Sequence, residues 1–273
     1  IAYASSFDQI GPITNTIDDS ALILEVISGK DEKDSSSSSK MVERYSEKST
    51  LEKKEIAVLK DCFEKDGLDP EIKERIEQTI EKLKEKGHEV KNVSFPELNF
   101  LVPTYYVLTT AEASSNLARF DGVHYGYRTE SPYDMEETYI KSRTEGFGEE
   151  VKRRIMLGTF VLSAGYNDAY YKKAQQVRRV VQDKTEEILK DFDFILSPTT
   201  PHTAFDIGNK HTDPTVMYLE DIFTVHANIS GNPAINLPLY THSNGLPFGL
   251  QLLTKKFNEK ELYSISSEIM EEL

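Results

Sequence analysis

Two charged residues stand at positions where the surrounding sequence is apolar, and together they could bind a free α-amino acid. Arg153 and Arg154 open an apolar helical run, so we expect one of the two to face inward, because consecutive helical residues point in different directions. Asp221 lies in the mostly apolar stretch 217–225, where a carboxylate needs a partner. A guanidinium binds an α-carboxylate as a fork, and a carboxylate binds an α-ammonium. From the residues alone, a structural ion pair or a solvated helix face is the commoner explanation.

The chain lacks the sequence signatures of the commoner catalytic sites. Its histidines are scattered without the i, i+4 pairing or cysteine partners that build zinc sites. They are His88, His124, His202, His211, His226 and His242. No glycine-rich phosphate loop is recognisable, and Ser163-Ala164-Gly165 lacks the spacing of a nucleophile elbow. Since no serine stands in a glycine-rich turn beside a lysine or histidine base, we predict no catalytic residue, metal or cofactor in this chain itself.

Charge and composition exclude several classes of function. The 32 basic and 46 acidic residues give a formal charge of −14, which argues against binding nucleic acid over a broad surface of this chain. No apolar run approaches the roughly 18 residues that span a bilayer. Cys62 is the only cysteine, which fits a reducing compartment. Its apolar neighbours at 56–59 predict a buried, unreactive thiol.

Alternating strand and helix patterns predict an α/β sandwich that positions these residues. Strands at 56–59 and 89–93 flank a helix that Asp69 caps and Pro70 begins, which predicts a parallel crossover. The apolar stripe of that helix consists of Ile72, Ile76, Ile80 and Leu83. Further strands are predicted at 192–196, 234–237 and 250–253.

Helical patterns carry the candidate binding residues. They predict helices at 105–120, at 133–144 with Ser131 as cap, at 148–162 and at 165–190. A last helix carries Leu262, Ile265 and Ile269. The aromatic pair Tyr105 and Tyr106 begins the first of these helices, and tyrosines there are more often core residues than ligand contacts.

The beginning of the chain is unusual for a domain. Residues 1–12 have the pattern of a strand running into a turn, and a helix capped by Thr16 follows and ends before Gly29. We therefore expect residues 1–273 to be the C-terminal portion of a single longer domain, with its nucleophile upstream. The polar, serine-rich stretch at about 30–54 predicts a mobile connection within it.

Several motifs resemble the amidase signature family. One is the segment Gly245-Leu246-Pro247-Phe248-Gly249-Leu250-Gln251, and others are Pro198-Thr199-Thr200-Pro201 and the stretch 143–160. The block Ala111-Glu112-Ala113-Ser114-Ser115-Asn116-Leu117-Ala118-Arg119 resembles the branch of the family that serves tRNA-dependent amidation. The resemblance is strong over 1–29, 103–172 and 194–253.

The resemblance implies an α/β/α sandwich and amide hydrolysis by a Ser–cis-Ser–Lys triad, in which one serine forms an acyl-enzyme. It places that triad upstream of Ile1. In the tRNA-linked branch glutamine is deamidated and the ammonia passes to a B subunit. With ATP and magnesium, that subunit converts Glu-tRNA(Gln), and in many organisms Asp-tRNA(Asn), to the amidated form. A C subunit clamps the other two together, and the tRNA is bound mainly by the B subunit.

The same resemblance assigns substrate contacts by motif position. It implies that Arg154 binds the carboxylate of glutamine, that Asp221 binds the ammonium, and that Tyr105 lies nearby. This favours a glutamine pocket over a structural ion pair. The chain departs from the family pattern at His226 and Thr254, where proline and glycine are usual. These departures imply differences in local loop shape, not in the substrate residues.

Two other functions remain open at this stage. A free-standing amidase of the same family would place neutral contacts where Arg154 and Asp221 stand, and a catalytically inactive scaffold subunit would lack the triad altogether. We expect the chain as it stands not to release ammonia from glutamine. We also expect its location to be a bacterial cytoplasm or an organellar matrix.

Overall fold

The computed structural model describes residues 1–49, 52–64, 67–208 and 214–272 and divides the chain into two compact units. The first unit consists of Ile1–Asp8 and Phe100–Val181, and the second of Gln9–Asn99 and Gln182–Leu273. The single domain and its mobile connection at about 30–54 stay predictions.

Helices and strands both occur along the chain, with a run of helices between β2 and β3. The helices are α1 (Ile17–Ile27), α2 (Lys60–Phe63), α3 (Pro70–Glu85), α4 (Leu98–Asn116), α5 (Met135–Gly146), α6 (Glu149–Leu162), α7 (Lys173–Asp191), α8 (Pro214–Leu219), α9 (Val225–Ser230) and α10 (Glu259–Glu272). The strands are β1 (Glu55–Leu59), β2 (Glu89–Val93), β3 (Phe194–Pro198), β4 (Ala234–Thr241) and β5 (Pro247–Thr254). Each predicted strand from 56 onward is confirmed, with ends that shift by up to four residues.

The second unit contains a five-stranded mixed sheet in the order β2-β1-β3-β5-β4. Strand β1 pairs in parallel with both β2 and β3, whereas β5 pairs antiparallel with β3 and β4. All five residues of β3 are buried, as the central strand of a covered sheet requires. The predicted α/β fold with a mixed sheet is confirmed.

Helix α3 forms because local signals at its two ends agree with its apolar stripe. The side chain of Asp69 accepts hydrogen bonds from the backbone of Glu71 and Ile72, and Pro70 occupies the first helical position. The stripe of Ile72, Ile76, Ile80 and Leu83 is buried. The chain then turns at Gly87, whose φ of 94° favours glycine, and β2 pairs in parallel with β1 as predicted.

The first unit is mostly helical and differs from the sequence predictions at three helices. Helix α4 begins at Leu98, seven residues before the predicted start, so Tyr105 and Tyr106 lie within it rather than at its beginning. Helix α5 begins at Met135 and is capped by the carboxylate of Asp134, so the prediction of Ser131 as cap was wrong. The predicted continuous helix at 165–190 is interrupted, because residues 167–172 form a π-helical turn before α7.

Residues 3–7 form a bend and a turn, and residues 1–12 contain no strand where one was predicted. The carboxylate of Asp8 accepts hydrogen bonds from the backbone N–H groups of Tyr3 and Ala4, at 3.0 and 3.1 Å. The N–H groups of Phe7 and Asp8 both donate to the carbonyl of Ala4. These bonds use the backbone groups that a strand would have paired with a neighbour, so the segment closes on itself.

Apolar side chains of the chain differ in how far they are buried. Cys62 is buried as predicted, with 1% of its surface exposed. Phe160 in α6 is 45% exposed, and the buried residues of that helix are Gly158 and Val161. Within the described ranges, every helix is too short or too polar to traverse a bilayer.

A buried histidine lies in the core of the second unit. His226, in α9, stacks against Phe95 with ring centroids 4.7 Å apart. Its Nε2 atom is 2.8 Å from the hydroxyl of Thr185. Burial lowers the pKa of His226 to about 4, because the protonated ring would lose its hydration. The side chain is therefore neutral in the folded protein at neutral pH.

We expect this histidine to make the chain sensitive to acid. Its pKa is about 4 when folded against an ordinary value of 6.5, so between these limits the unfolded chain binds a proton that the folded chain does not. Stability should fall as the pH decreases through this window, by up to about 3 kcal/mol from this group. Urea unfolding at several pH values measures the loss. His226→Gln should flatten the curve, and parallel curves for both proteins would refute the expectation.

Candidate functional site

Arg154 faces the interior of the first unit, and its neighbour Arg153 faces solvent. Both lie in α6, yet 26% of the Arg154 side chain is exposed against 56% of the Arg153 side chain. The prediction that one arginine of the pair faces inward is therefore confirmed. Helical geometry is the reason, since adjacent positions cannot share one face.

Three side chains surround the guanidinium of Arg154. Its Nε–H donates to Oε1 of Glu150 at 2.9 Å, and Nη1–H donates to the hydroxyl of Tyr3 at 3.3 Å. The guanidinium carbon lies 5.3 Å from the ring centroid of Tyr106 and 5.9 Å from that of Tyr3. Aromatic faces at these distances attract a cation.

Arg154 keeps its positive charge in the folded protein. Partial burial would lower its pKa, but the hydrogen bonds to Tyr3 and Glu150 outweigh that effect and raise the pKa above its ordinary value. The guanidinium therefore stays positive at any physiological pH. An anion that reaches it meets a fixed positive charge.

Part of the donor capacity of Arg154 is unused by the protein. A guanidinium carries five N–H donors, and the two hydrogen bonds above use only Nε–H and one Nη1–H. Among the residues that the structure describes, Nη2 donates to no protein acceptor. The two terminal nitrogens can thus present a fork to a carboxylate.

Tyr105 packs against aromatic neighbours of this cluster. Its half-buried ring meets that of Phe7 edge-on at 5.8 Å and that of Tyr106 edge-on at 5.4 Å. Of the pair Tyr105 and Tyr106, the member that lies against Arg154 is Tyr106, which is 9% exposed. The role of Tyr105 near the substrate stays a prediction.

The sequence predictions missed three residues that contact Arg154. Glu150 stands four residues before Arg154, so the helical i, i+4 spacing could have identified it. Tyr106 stood in a recognised pair, but the sequence could not say which of its members faces the arginine. Tyr3 is separated from Arg154 by 151 positions, and no local signal in the sequence links them.

A close approach of α4 and α6 sets the register between Tyr106 and Arg154. Gly158 lies one turn beyond Arg154, and Thr110 lies one turn beyond Tyr106. A Cβ atom at Gly158 would lie only 1.9 Å from the backbone oxygen of Thr110. One turn further along α4, the hydroxyls of Ser114 and Thr159 are 2.8 Å apart. The missing side chain thus lets the two helices meet where the arginine and the tyrosine face each other.

Asp221 belongs to the second unit, in the turn between α8 and α9. Its backbone oxygen accepts hydrogen bonds from the N–H of Val225 and the hydroxyl of Thr224. The apolar character of this stretch comes from Ile222 and Phe223, which are 4% and 1% exposed. Asp221 itself is exposed, so its carboxylate is not enclosed by these apolar neighbours, and the expectation of a partner stays a prediction.

The structure thus brings Arg154 and Tyr105 into one cluster of the first unit and places Asp221 in the other unit. In the part of the chain that the structure describes, no group of three or more His, Cys, Asp or Glu side chains is arranged to hold a metal ion.

Comparisons with known proteins agree on one family. The family model described as Amidase matches residues 1–263. The chain is 49% identical, over 97% of its length, to the A subunit of glutamyl-tRNA(Gln) amidotransferase from Chlorobium luteolum. It is 47% identical, over the same share, to the protein of that name from Clostridium botulinum strain Loch Maree.

A solved structure gives the same result. The crystal structure of the A subunit of glutamyl-tRNA(Gln) amidotransferase from Thermotoga maritima superposes with a TM-score of 0.74 at 40% identity. That alignment covers 97% of this chain and 53% of the other. The chain spans about half the length of the curated relatives that it matches, since it covers 55% of each of the two above.

The close approach at Gly158 can be tested by adding one methyl group. We expect Gly158→Ala to lower the free energy of unfolding by about 2–4 kcal/mol, because the new Cβ would overlap the Thr110 carbonyl and push α4 and α6 apart. Thermal or urea unfolding measures this loss.

Gly148→Ala is the matched control. Gly148 precedes the same helix with φ of −64°, and a Cβ there would meet no atom within 4 Å. We expect it to cost no more than about 1 kcal/mol. Equal effects of the two substitutions would contradict the close packing.

Proposed function

Because this chain belongs to the amidase family, we propose that it forms part of the glutamine-hydrolysing subunit of a glutamyl-tRNA(Gln) amidotransferase. The observation that carries the proposal is the 49% identity, over 97% of this chain, to the A subunit of one such enzyme. Relatives of that name recur among the matches from different bacteria, which supports the tRNA-linked branch over other amidases.

Arg154 is the residue that we assign to the α-carboxylate of glutamine. Its terminal nitrogens retain donors, its charge is held by Glu150 and Tyr3, and Tyr106 covers one face. A charge-assisted bidentate pair of this kind is stronger than a neutral hydrogen bond and fixes the orientation of the carboxylate. A lysine could supply the charge but not the fork.

Asp221 is the residue that we assign to the α-ammonium group, and Tyr105 is assigned a place beside the substrate. The carboxylate of Asp221 is exposed and can accept hydrogen bonds from an ammonium. Together, a cationic fork and a carboxylate distinguish a free amino acid from a simple amide, which carries neither charged group.

The reaction assigned to the complete enzyme is hydrolysis of the glutamine side-chain amide to glutamate and ammonia. In the proposal, a B subunit uses ATP and Mg²⁺ to convert Glu-tRNA(Gln) to Gln-tRNA(Gln) with that ammonia, and a C subunit holds the assembly together. A formal charge of −14 supports assigning most of the tRNA contact to another subunit.

Substrate analogues can test the two assignments separately in the amidotransferase that contains this chain. Arg154→Lys should raise KM for glutamine by about 50- to 100-fold, because it removes a bidentate contact with the α-carboxylate. It should hardly change the weak hydrolysis of 4-aminobutanamide, which lacks that carboxylate. Asp221→Asn should likewise impair glutamine turnover but not that of glutaramate, which lacks the α-amino group. Ammonia release measures each rate.

Arg153→Lys is the matched control, since Arg153 lies next in the same helix with its side chain 56% exposed. We expect it to leave KM within about twofold. If Arg154→Lys impaired all three substrates equally, the carboxylate assignment would fail. Efficient turnover of simple amides without partner subunits would instead indicate a free-standing amidase.

A further inference from the structure

Segment 3–8 connects two sides of the Arg154 cluster. At one end, the hydroxyl of Tyr3 accepts the hydrogen bond from Arg154 at 3.3 Å. At the other end, the ring of Phe7 packs edge-on against Tyr105, and Phe7 is 3% exposed. The segment therefore contacts both the arginine and the supporting tyrosine.

Two charged residues hold the middle of the segment through Ser6. The carboxylate of Glu112 accepts hydrogen bonds from both the backbone N–H of Ser6, at 3.0 Å, and its hydroxyl. From the other side, Nη1 of Arg178 donates to the Ser6 hydroxyl at 2.7 Å and Nη2 donates to the Ser6 carbonyl at 2.6 Å.

The Arg178 guanidinium also stacks on the next residue of the segment. Its central carbon lies 3.9 Å from the ring centroid of Phe7. One planar group thus fixes a hydroxyl, a carbonyl and an aromatic ring together. A lysine ammonium has neither the plane to stack nor the two parallel donors.

We propose that Arg178 and Glu112 are positioning residues for glutamine binding: through Ser6 they fix segment 3–8, from which Tyr3 orients Arg154 and Phe7 supports Tyr105. This inference rests on the proposed function, because it assumes that Arg154 binds the carboxylate of the substrate. Neither residue touches the substrate in this scheme. Their effect is to keep the guanidinium fork in one orientation before the substrate arrives, which lowers the entropy lost on binding.

The experiment compares Arg178→Lys, Glu112→Gln and Tyr3→Phe in the assembled amidotransferase. Each should raise KM for glutamine about 5- to 10-fold while kcat stays within about twofold, because each loosens a contact that orients the binding residue rather than the reacting groups. None should alter turnover of 4-aminobutanamide, which has no carboxylate for Arg154 to bind. Arg128→Lys, which changes an exposed arginine of the same unit, is the control for loss of a guanidinium.

A double-mutant cycle tests whether Arg178 acts through Tyr3. In the Tyr3→Phe background, Arg178→Lys should raise KM by no more than about threefold, since the contact that it orients is already gone. Independent, multiplicative effects would overturn the proposal. So would equal losses on glutamine and 4-aminobutanamide, or a lowered melting temperature with an unchanged KM, because these indicate a structural role alone.

Arg154→Lys, measured in parallel, distinguishes failure of the positioning role from failure of the proposed function. If Arg154→Lys raises KM for glutamine and Arg178→Lys does not, the positioning role fails while the proposed function stands. If Arg154→Lys leaves KM unchanged, the carboxylate assignment fails first and the positioning role fails with it.

Discussion

The first unit contains an arginine, Arg154, whose charged side chain is only about one quarter exposed. Removing a charge from water is costly unless partners replace the lost hydration. Glu150 supplies the opposite charge from the same helix, Tyr3 supplies a hydroxyl from the beginning of the chain, and Tyr106 supplies an aromatic face. These partners use part of the donor capacity of the guanidinium and stabilise its charge, and the remaining donors are those that we propose for an anion.

The precision of this arrangement comes from small contacts at some distance from the arginine. Gly158 lets α6 approach the backbone of α4, which fixes how Arg154 faces Tyr106. Segment 3–8 closes on the carboxylate of Asp8 and is held at Ser6 by Glu112 and Arg178. In the proposed function these residues would act without contacting the ligand, because binding geometry must be maintained to within about 0.5 Å.

The second unit has a different construction. Its sheet combines a parallel half, formed by strand and helix crossovers, with an antiparallel half formed by the β4–β5 hairpin. His226 is a polar side chain within this core. Its buried ring is neutral at neutral pH, because burial lowers the pKa of His226. Asp221 lies outside this core, and its buried neighbours Ile222 and Phe223 anchor the turn that exposes it. The second unit thus carries an exposed carboxylate on a conventional packed core.

The sequence by itself determined what depends on residues a few positions apart. The caps at Thr16 and Asp69, the stripe of α3, the buried strands and the inward orientation of one arginine all follow from local periodicity and hydrogen bonding. Only the tertiary structure decided which tyrosine of the pair meets Arg154, that Tyr3 joins it from 151 positions away, and that segment 3–8 closes into a turn. It also decided that Asp221 is exposed within an apolar stretch. Local preferences fix the direction of a side chain relative to its own helix or strand, whereas its neighbours across space depend on how distant segments pack, and that information is spread over the whole chain.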